Sequence, residues 1–343
     1  MAAVVALDLS RRGLRGVQID APYTARPKIT HVAAIDVPEG IIFDGEIVDE
    51  RRGIAALKEL WRVGRFTTKK VALAIGNRKV VVREVVLPDL AGNRTALRFA
   101  VEGQVPIDLD DAVVDFLPLR PAADGSGRQE GLLVATARGS LESTVSAIEK
   151  AGRFVDAIDF AGFSLLRTLP GTPGTAHAII NVGASSTTVV IANGSTPEFV
   201  RMVPSGGDDV TRSIERALGI DFAEAENDKV SRGLQGGATS ERDIEAETVL
   251  RENVAALIDS IRNTLNFYLA AHPDTPVSRV LLTGGGSRLI GLAPVLTRAL
   301  GVPTEHADPL SAFAVNRKVR DEGLDRWALE LAASMGATVG EKR

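Results

Sequence analysis

Three short stretches of this chain carry residues suited to holding a charged ligand. The first reads ALDLSRRGLRGVQI, with Asp8 near the end of an apolar run and Ser10, Arg11 and Arg12 in the turn after it. The second, Ile180 to Gly194, reads INVGASSTTVVIANG, with Asn181 in the equivalent place and Gly183, Ala184 and Ser185 following. The third, Leu281 to Gly291, reads LLTGGGSRLIG, placing Gly284, Gly285, Gly286 and Ser287 between a strand pattern and a helix pattern. Backbone N–H groups in such turns form concave nests that suit anions, and Gly or Ser lets a phosphate oxygen approach closely. A carboxylate closing each first strand would suit hydrated magnesium, which keeps most of its waters and needs few protein ligands. Asp8 supplies one, whereas Asn181 brings only an amide. The Gly-rich turn before a helix can receive a phosphate or lie against a planar base. It is not a dinucleotide fingerprint, because Leu289 takes the last Gly position, and no Gly-Lys-Ser/Thr follows to make a P-loop.

Positioning these turns requires strands and helices in alternation, which argues an α/β chain. Met1 to Asp20 holds two β-rich runs, Lys28 to Val37 a third, Glu50 to Val63 an amphipathic helix and Lys70 to Gly76 a buried strand. The next block predicts a strand at Val80 to Pro88, a helix near Asn93 to Gly103 and a strand at Ala112 to Leu119. A hairpin tip at Asp124 to Arg128, a strand at Gly131 to Ala137, a helix at Ser140 to Lys150 and a strand at Arg153 to Ile158 follow. That is β-α-β-β-α-β, expected to form a small domain of its own. Beyond the turn cluster PGTPGT come the second stretch, a strand PEFVRMVP and a helix near Asp208 to Leu218. Glu224 to Asp243 reads as a polar segment with a flexible GLQGGATS, and a long helix then carries Val254, Leu257, Ile258, Ile261, Leu265 and Tyr268 on one core-facing side. The first two stretches share one layout and lie about half the chain apart, the signature of an internal duplication. Two such halves, each aiming a small-residue turn at one place, would close around a single ligand.

Composition narrows the function further. The 343 residues are 45% hydrophobic and 24% charged, ordinary for a globular chain. A formal net charge of −4 gives no electrostatic case for nucleic acid. The absence of cysteine excludes disulfides, thiolate metal sites and Cys nucleophiles. His31, His177, His272 and His306 have no partner at helical spacing, and no G-x-S-x-G elbow occurs. No apolar run approaches the roughly 20 residues needed to span a bilayer. MAAVVALDLSRRG lacks the basic start of a secretory signal. The expected location is cytoplasmic, with membrane contact only through a partner.

In this order the segments resemble the PilM family of type IV pilus assembly proteins, relatives of FtsA within the actin/Hsp70/sugar-kinase superfamily. VALDLSRRGLRGVQI stands at the family's first phosphate loop and INVGASSTTVVIANG at its second. REVVLPDL with ALRFAVEGQVPIDLDDAVVDFLPL looks like the inserted subdomain. VPSGGDDVTRSI with AEAENDKVSRG resembles the ribose-side segment, and VLLTGGGSRLIGLAPVLTRALGVPTEHADPL the adenosine motif. LDRWALELAASMGATVG stands where the family returns to its first domain.

The resemblance implies duplicated actin-like (ribonuclease H-like) domains with an FtsA/PilM-type inserted β-α-β-β-α-β subdomain. Residues 1–78 would open the first domain, 79–160 form the insert, and 161–175 with 321–343 return to the first domain. Residues 176–207 and 276–320 would form the second domain and 208–275 its smaller subdomain. The implied ligand is ATP or ADP with magnesium. Asp8 would face the magnesium shell through water, and Arg15 falls where the family has a phosphate-binding Lys. Gly183, Ala184 and Ser185 would cradle phosphate from the second side, with Gly206 and Gly207 beside them. Glu226 and Lys229 would approach the ribose, and Gly284, Gly285, Gly286 and Ser287 the adenosine.

Three departures bear on activity. Ser10 replaces a Gly, Arg11 and Arg12 replace small hydroxyl residues, and Asn181 replaces a carboxylate. Phosphoryl transfer rests on positioning and charge stabilisation, so a weakened metal site damages turnover more than binding. The implied role is an adaptor of the pilus assembly platform with weak or no ATP hydrolysis, its cleft conformation set by nucleotide. Its implied partners are the cytoplasmic N-terminal tail of a PilN-like membrane protein and other pilus assembly proteins. The alternatives are an active ATPase of the actin/FtsA type and a filament-forming actin homologue.

Overall fold

The apolar runs of the first stretch fold as a hairpin, β1 (Ala3–Ser10) and β2 (Gly13–Asp20), with Asp8 opposite Arg15 and Ser10 opposite Gly13. The computed structural model describes residues 2–90 and 92–340, so Met1 and 341–343, the ends of the predicted first domain, lie outside the described residues. β3 (Lys28–Asp36) pairs with β2, and a short hairpin, β4 (Ile42–Phe43) and β5 (Glu46–Ile47), follows. Asp49 then starts α1 (Glu50–Gly64) by accepting from Arg52 N, and Arg65, at φ +49°, ends it. β6 (Lys70–Ile75) returns parallel to β1 on the side away from β2.

The insert follows β6. β7 (Val81–Leu87), β8 (Ala112–Pro121) and β9 (Gln129–Ala137) form a sheet in the order β7-β9-β8. α2 (Arg94–Ala100), capped by Asn93, packs Leu97 against Leu87, Val101 and Leu133 on one face of it. α3 (Arg138–Lys150) and β10 (Phe154–Phe160) complete the expected element order, but the pairing differs from the self-contained unit that this order suggested. β10 lies parallel to β6 in the first sheet, and Ala147 and Ile148 of α3 are buried with Leu57, Leu60 and Val71 of the first half. One face of the three-stranded sheet takes α2, and Leu132 and Val134 on the other pack with Phe163 and Leu166, so the buried side of α3 goes to the larger core.

The second half repeats the first. After α4 (Ala161–Thr168), β11 (Ala176–Val182) and β12 (Thr187–Asn193) form a hairpin with Asn181 opposite Thr188, and β13 (Thr196–Val203) pairs with β12. α5 (Gly207–Leu218), α6 (Phe222–Arg232) and α7 (Glu241–Ala271) follow, then β14 (Val280–Thr283), α8 (Leu292–Leu300) and β15 (Thr304–His306). β14 runs parallel to β11 as β6 does to β1. The sheet β13-β12-β11-β14-β15 therefore reproduces β3-β2-β1-β6-β10, and the duplication read from the two hairpins extends to whole sheets. The apolar stripe of α7, including Leu257, Ile261 and Tyr268, is buried against this second sheet. α6 replaces part of the expected irregular segment. Its buried residues are Ala225, Asp228 and Lys229, so most of its inward face is charged and no apolar period announces it.

The chain then rejoins the first sheet through β16 (Ala314–Val315), earlier than position 321, and ends in α9 (Arg317–Asp321) and α10 (Leu324–Gly336). α10 buries Leu324, Leu331 and Met335 against β1 and β2. α4 crosses it closely: Thr168 Oγ1 donates to Ala332 O at 3.0 Å and Arg167 Nε to Gly336 O at 3.0 Å. Phe163 and Leu166 of α4, with Ala332 of α10, share one cluster with Ile179 and Val190 of the second sheet. This helix pair is the layer that both sheets pack against.

Candidate functional site

The two hairpin turns converge on one cleft, and side chains from the first half reach across it. Arg11 Nη1 lies 3.2 Å from Asp208 Oδ2 at the start of α5, and Nη2 lies 3.0 Å from Glu39. Its guanidinium stacks 4.0 Å from the ring centroid of Phe222, at the start of α6. Arg12 Nη2 pairs with Glu226 at 2.7 Å. Arg78, just after β6, donates through Nε to Ser185 O at 2.5 Å and pairs with Asp209 at 2.9 Å. Ser185 donates its hydroxyl to Asp44 in the β4–β5 turn, and Ser186 Oγ donates to Gly76 O at 3.0 Å.

Arg15 stays within its own half. It donates to Asp8 Oδ2 at 2.9 Å and to Ser10 Oγ at 3.1 Å, and its guanidinium stands 4.7 Å from the Trp327 ring. Burial pushes the Asp8 carboxyl above its ordinary range; the Arg15 charge and hydrogen bond pull the other way, and Glu330 adds to the rise.

The second turn docks on the start of α5. Gly207 N donates to Gly183 O at 2.9 Å and Asp208 N to Ala184 O at 2.8 Å. A Cβ on Gly206 would come within 2.5 Å of Ala184 O, so this approach needs bare backbone. Asp209 Oδ2 accepts from Gly206 N at 2.8 Å, putting a carboxylate at the positive end of the helix.

Behind it, Lys229 Nζ donates to Gly207 O at 3.0 Å and Thr211 Oγ1 at 2.8 Å, and pairs with Glu226 at 2.7 Å. Thr211 also donates to Glu226. Burial would raise the Glu226 carboxyl, but Lys229, Thr211 and Arg12 together hold it below the usual range; burial lowers Lys229 from its own. A depressed carboxyl stabilises the fold above its unfolded value of 4.5 and loses that contribution as pH falls through its folded value. Glu226→Gln is therefore expected to lose roughly 1–3 kcal/mol near neutral pH, the worth of hydrogen bonds to a charged group. Urea denaturation should show the gap between parent and variant closing below about pH 4.

The third Gly-rich element lies against the second turn. Gly284, at φ +83°, sits where a Cβ would strike Val182 O at 2.4 Å and Asn181 Oδ1 at 2.6 Å, so only Gly fits the conformation and the space. Gly284 N and Thr283 Oγ1 both donate to Leu329 O of α10, at 3.0 and 2.7 Å. Ser287 Oγ donates to Gly284 O at 2.6 Å and closes the turn. Gly285 has open space on its Cβ side apart from the Glu330 side chain, 3.7 Å away.

The contacts link the expected residues in sets: Arg12 with Glu226, Lys229 with Gly207, Gly206 and Gly207 with the turn at Gly183 and Ala184, Gly284 with Asn181, and Arg15 with Asp8 and Ser10. Asp8 and Asn181 hold equivalent positions in the two hairpins, and the Gly284 turn lies beside Asn181. The donor set fits a metal poorly. Asp8 Oδ2 is engaged by Arg15, Asn181 carries no charge, and no cluster of three or more His, Asp or Glu able to hold a metal occurs among the described residues. Sequence reasoning missed Arg78, Asp44 and Glu39, and gave Asp208 and Asp209 no role beyond the predicted start of a helix there. Nothing local marks the first three; their partners are far along the chain.

The chain matches the family model described as type IV pilus assembly protein PilM over residues 6–340. A chain of a solved PilM–PilN type IV pilus biogenesis complex is 27% identical, with a TM-score of 0.84 over 98% of this chain and 97% of that one. The ethanolamine utilization protein EutJ from Carboxydothermus hydrogenoformans is 15% identical, with a TM-score of 0.55 over 98% and 90%. MreB 5 of Spiroplasma citri, solved bound to AMPPNP, is 15% identical, with a TM-score of 0.51 over 95% and 96%. The fold is that of the actin-like ATPases. No helix among the described residues is long and apolar enough to cross a membrane.

Proposed function

This chain belongs to the type IV pilus assembly protein PilM family, and from that premise we propose that it is an adaptor that grips the cytoplasmic N-terminal tail of a PilN-like membrane protein. It would thereby sit on the inner face of the membrane and meet other pilus assembly proteins there. The observation that carries the partner assignment is the 27% identity, over nearly all of both chains, to a chain of a PilM–PilN complex. The cleft is proposed to take ATP or ADP weakly and to turn it over slowly or not at all. The Asp8–Arg15 pair and the neutral Asn181 support that reading, since both leave magnesium without an available carboxylate.

For the grip itself, β10 is the edge strand of the first sheet, beside the insert in sequence, and exposes Phe154 (48%) and Ile158 (37%). An extended tail could add along this edge, with main-chain hydrogen bonds for affinity and side-chain pockets for selectivity. A peptide copying the N-terminal tail of the membrane protein encoded beside this chain is expected to bind in calorimetry. Phe154→Asp with Ile158→Asp is expected to weaken it by about tenfold or more, as losing apolar anchors does. Phosphate release from Mg-ATP should stay at background. Failure of the peptide to bind would remove the partner assignment, and brisk turnover would remove the non-enzymatic one.

A further inference from the structure

The cross-cleft bonds form a set with one logic. Three arginines of the first half each meet an acidic group of the second: Arg11 with Asp208, Arg12 with Glu226 and Arg78 with Asp209. Helix N-termini favour anions, and a phosphate at the start of α5 would be the expected guest. Here the chain puts its own carboxylates there: Asp209 accepts from Gly206 N, and both it and Asp208 are held by arginines from across the cleft. The backbone of the second turn is used in the same way, because Ser185 gives its carbonyl to Arg78 and its hydroxyl to Asp44. Arg11 and Asp208 are largely shielded, at 16% and 17% side-chain exposure, so solvent screens this pair less than a surface one.

We propose that Arg11, Arg12 and Arg78 form a built-in clamp across the cleft, with Asp208, Asp209 and Glu226 in the role of a polyphosphate. The two halves then stay closed with or without nucleotide, and partner docking is uncoupled from the nucleotide state. This departs from the expectation that nucleotide sets the cleft's conformation. It also gives Arg11 and Arg12 a purpose that phosphate binding alone does not, because both are already neutralised by protein carboxylates.

The chain has no cysteine, so spin labels can be placed by adding a cysteine pair at Lys58 in α1 and Glu252 in α7, both exposed and in opposite halves. Pulsed dipolar spectroscopy on the labelled full chain should give one narrow distance that does not shift on adding ATP with magnesium or ATP with chelator. Arg11→Ala combined with Arg12→Ala and Arg78→Ala should broaden and lengthen that distribution while circular dichroism shows native helix content. If that triple variant fails to fold, Asp208→Asn with Glu226→Gln tests the same bonds from the other side. The proposal is overturned if the parent is broad without nucleotide and narrows with it, or if a folded clamp variant stays as narrow as the parent. Neither outcome depends on the peptide experiment above, so the clamp and the adaptor reading fail separately.

Discussion

Gly336→Val is expected to abolish the native fold, and Gly336→Ala to cost about 3 kcal/mol or more, at the upper end of overpacking effects. Gly336 ends α10 where α4 crosses it, and a Cβ there would lie 1.9 Å from Ser164 O and 2.5 Å from the carbonyl carbon. The obstacle is backbone, so no rotamer change relieves it; the helices would have to separate. Separation would break the bonds from Arg167 to Gly336 O and from Thr168 to Ala332 O. It would also loosen the layer that both sheets share. Against a total stability of about 5–15 kcal/mol, such a loss leaves little margin. Urea denaturation of the alanine variant measures it directly. Gly139→Ala, in the first turn of α3 with nothing within 4 Å of its Cβ position, should be neutral or slightly stabilising. Equal midpoints for the two alanine variants would refute the tight crossing.

The second large effect concerns magnesium. Asn181→Asp is expected to make ATP affinity magnesium-dependent by about tenfold or more, which is about 1.4 kcal/mol of charge interaction. The parent should bind ATP with similar affinity in magnesium and in chelator. The asymmetry between the hairpins explains the choice of residue. Asp8 faces Arg15, which engages its carboxylate, whereas Asn181 faces Thr188, which brings no cation. A carboxylate at 181 would therefore be free to attract a hydrated divalent ion. It would also be a partly buried charge without a partner, so the variant without ligand should unfold at slightly lower urea. Calorimetry with ATP plus magnesium and with ATP plus chelator, on both proteins, reads the difference. An Asn181→Asp protein whose affinity ignores magnesium would show that the cation has no place beside this residue.

Particular residues show why some of this was legible in advance. The two hairpins were readable because β-branched and apolar runs broken by Gly and Ser specify strand, turn and strand locally, and their likeness about half a chain apart announced the duplication. The stripe of α7 was readable because its buried residues are apolar and recur with the helical period. α6 was not, because Asp228 and Lys229 face inward where a pattern search wants apolar side chains. The partner of β10 was not, because a strand's composition states that it pairs but not with which sheet. The cleft bonds were hidden for the same reason: Arg11 and Asp208 are 197 positions apart, and each alone reads as an ordinary loop or helix-start residue. The positions of the expected site residues followed from local signals; what those residues bond to did not.

The route of the chain also sets an order of assembly. The first sheet receives β16 and its covering α10 only from residues 314–336, so Val4, Ala6 and Ile19 lack their cover until those residues emerge. The sheet built from residues 176–306 waits for α10 only on the face that meets the α4–α10 layer; its other face is covered by α5, α7 and α8, whose residues lie within the same span. During synthesis the face of the first sheet opposite α1 and α3 would stay uncovered until the last residues emerge, and contacts this remote in sequence form late.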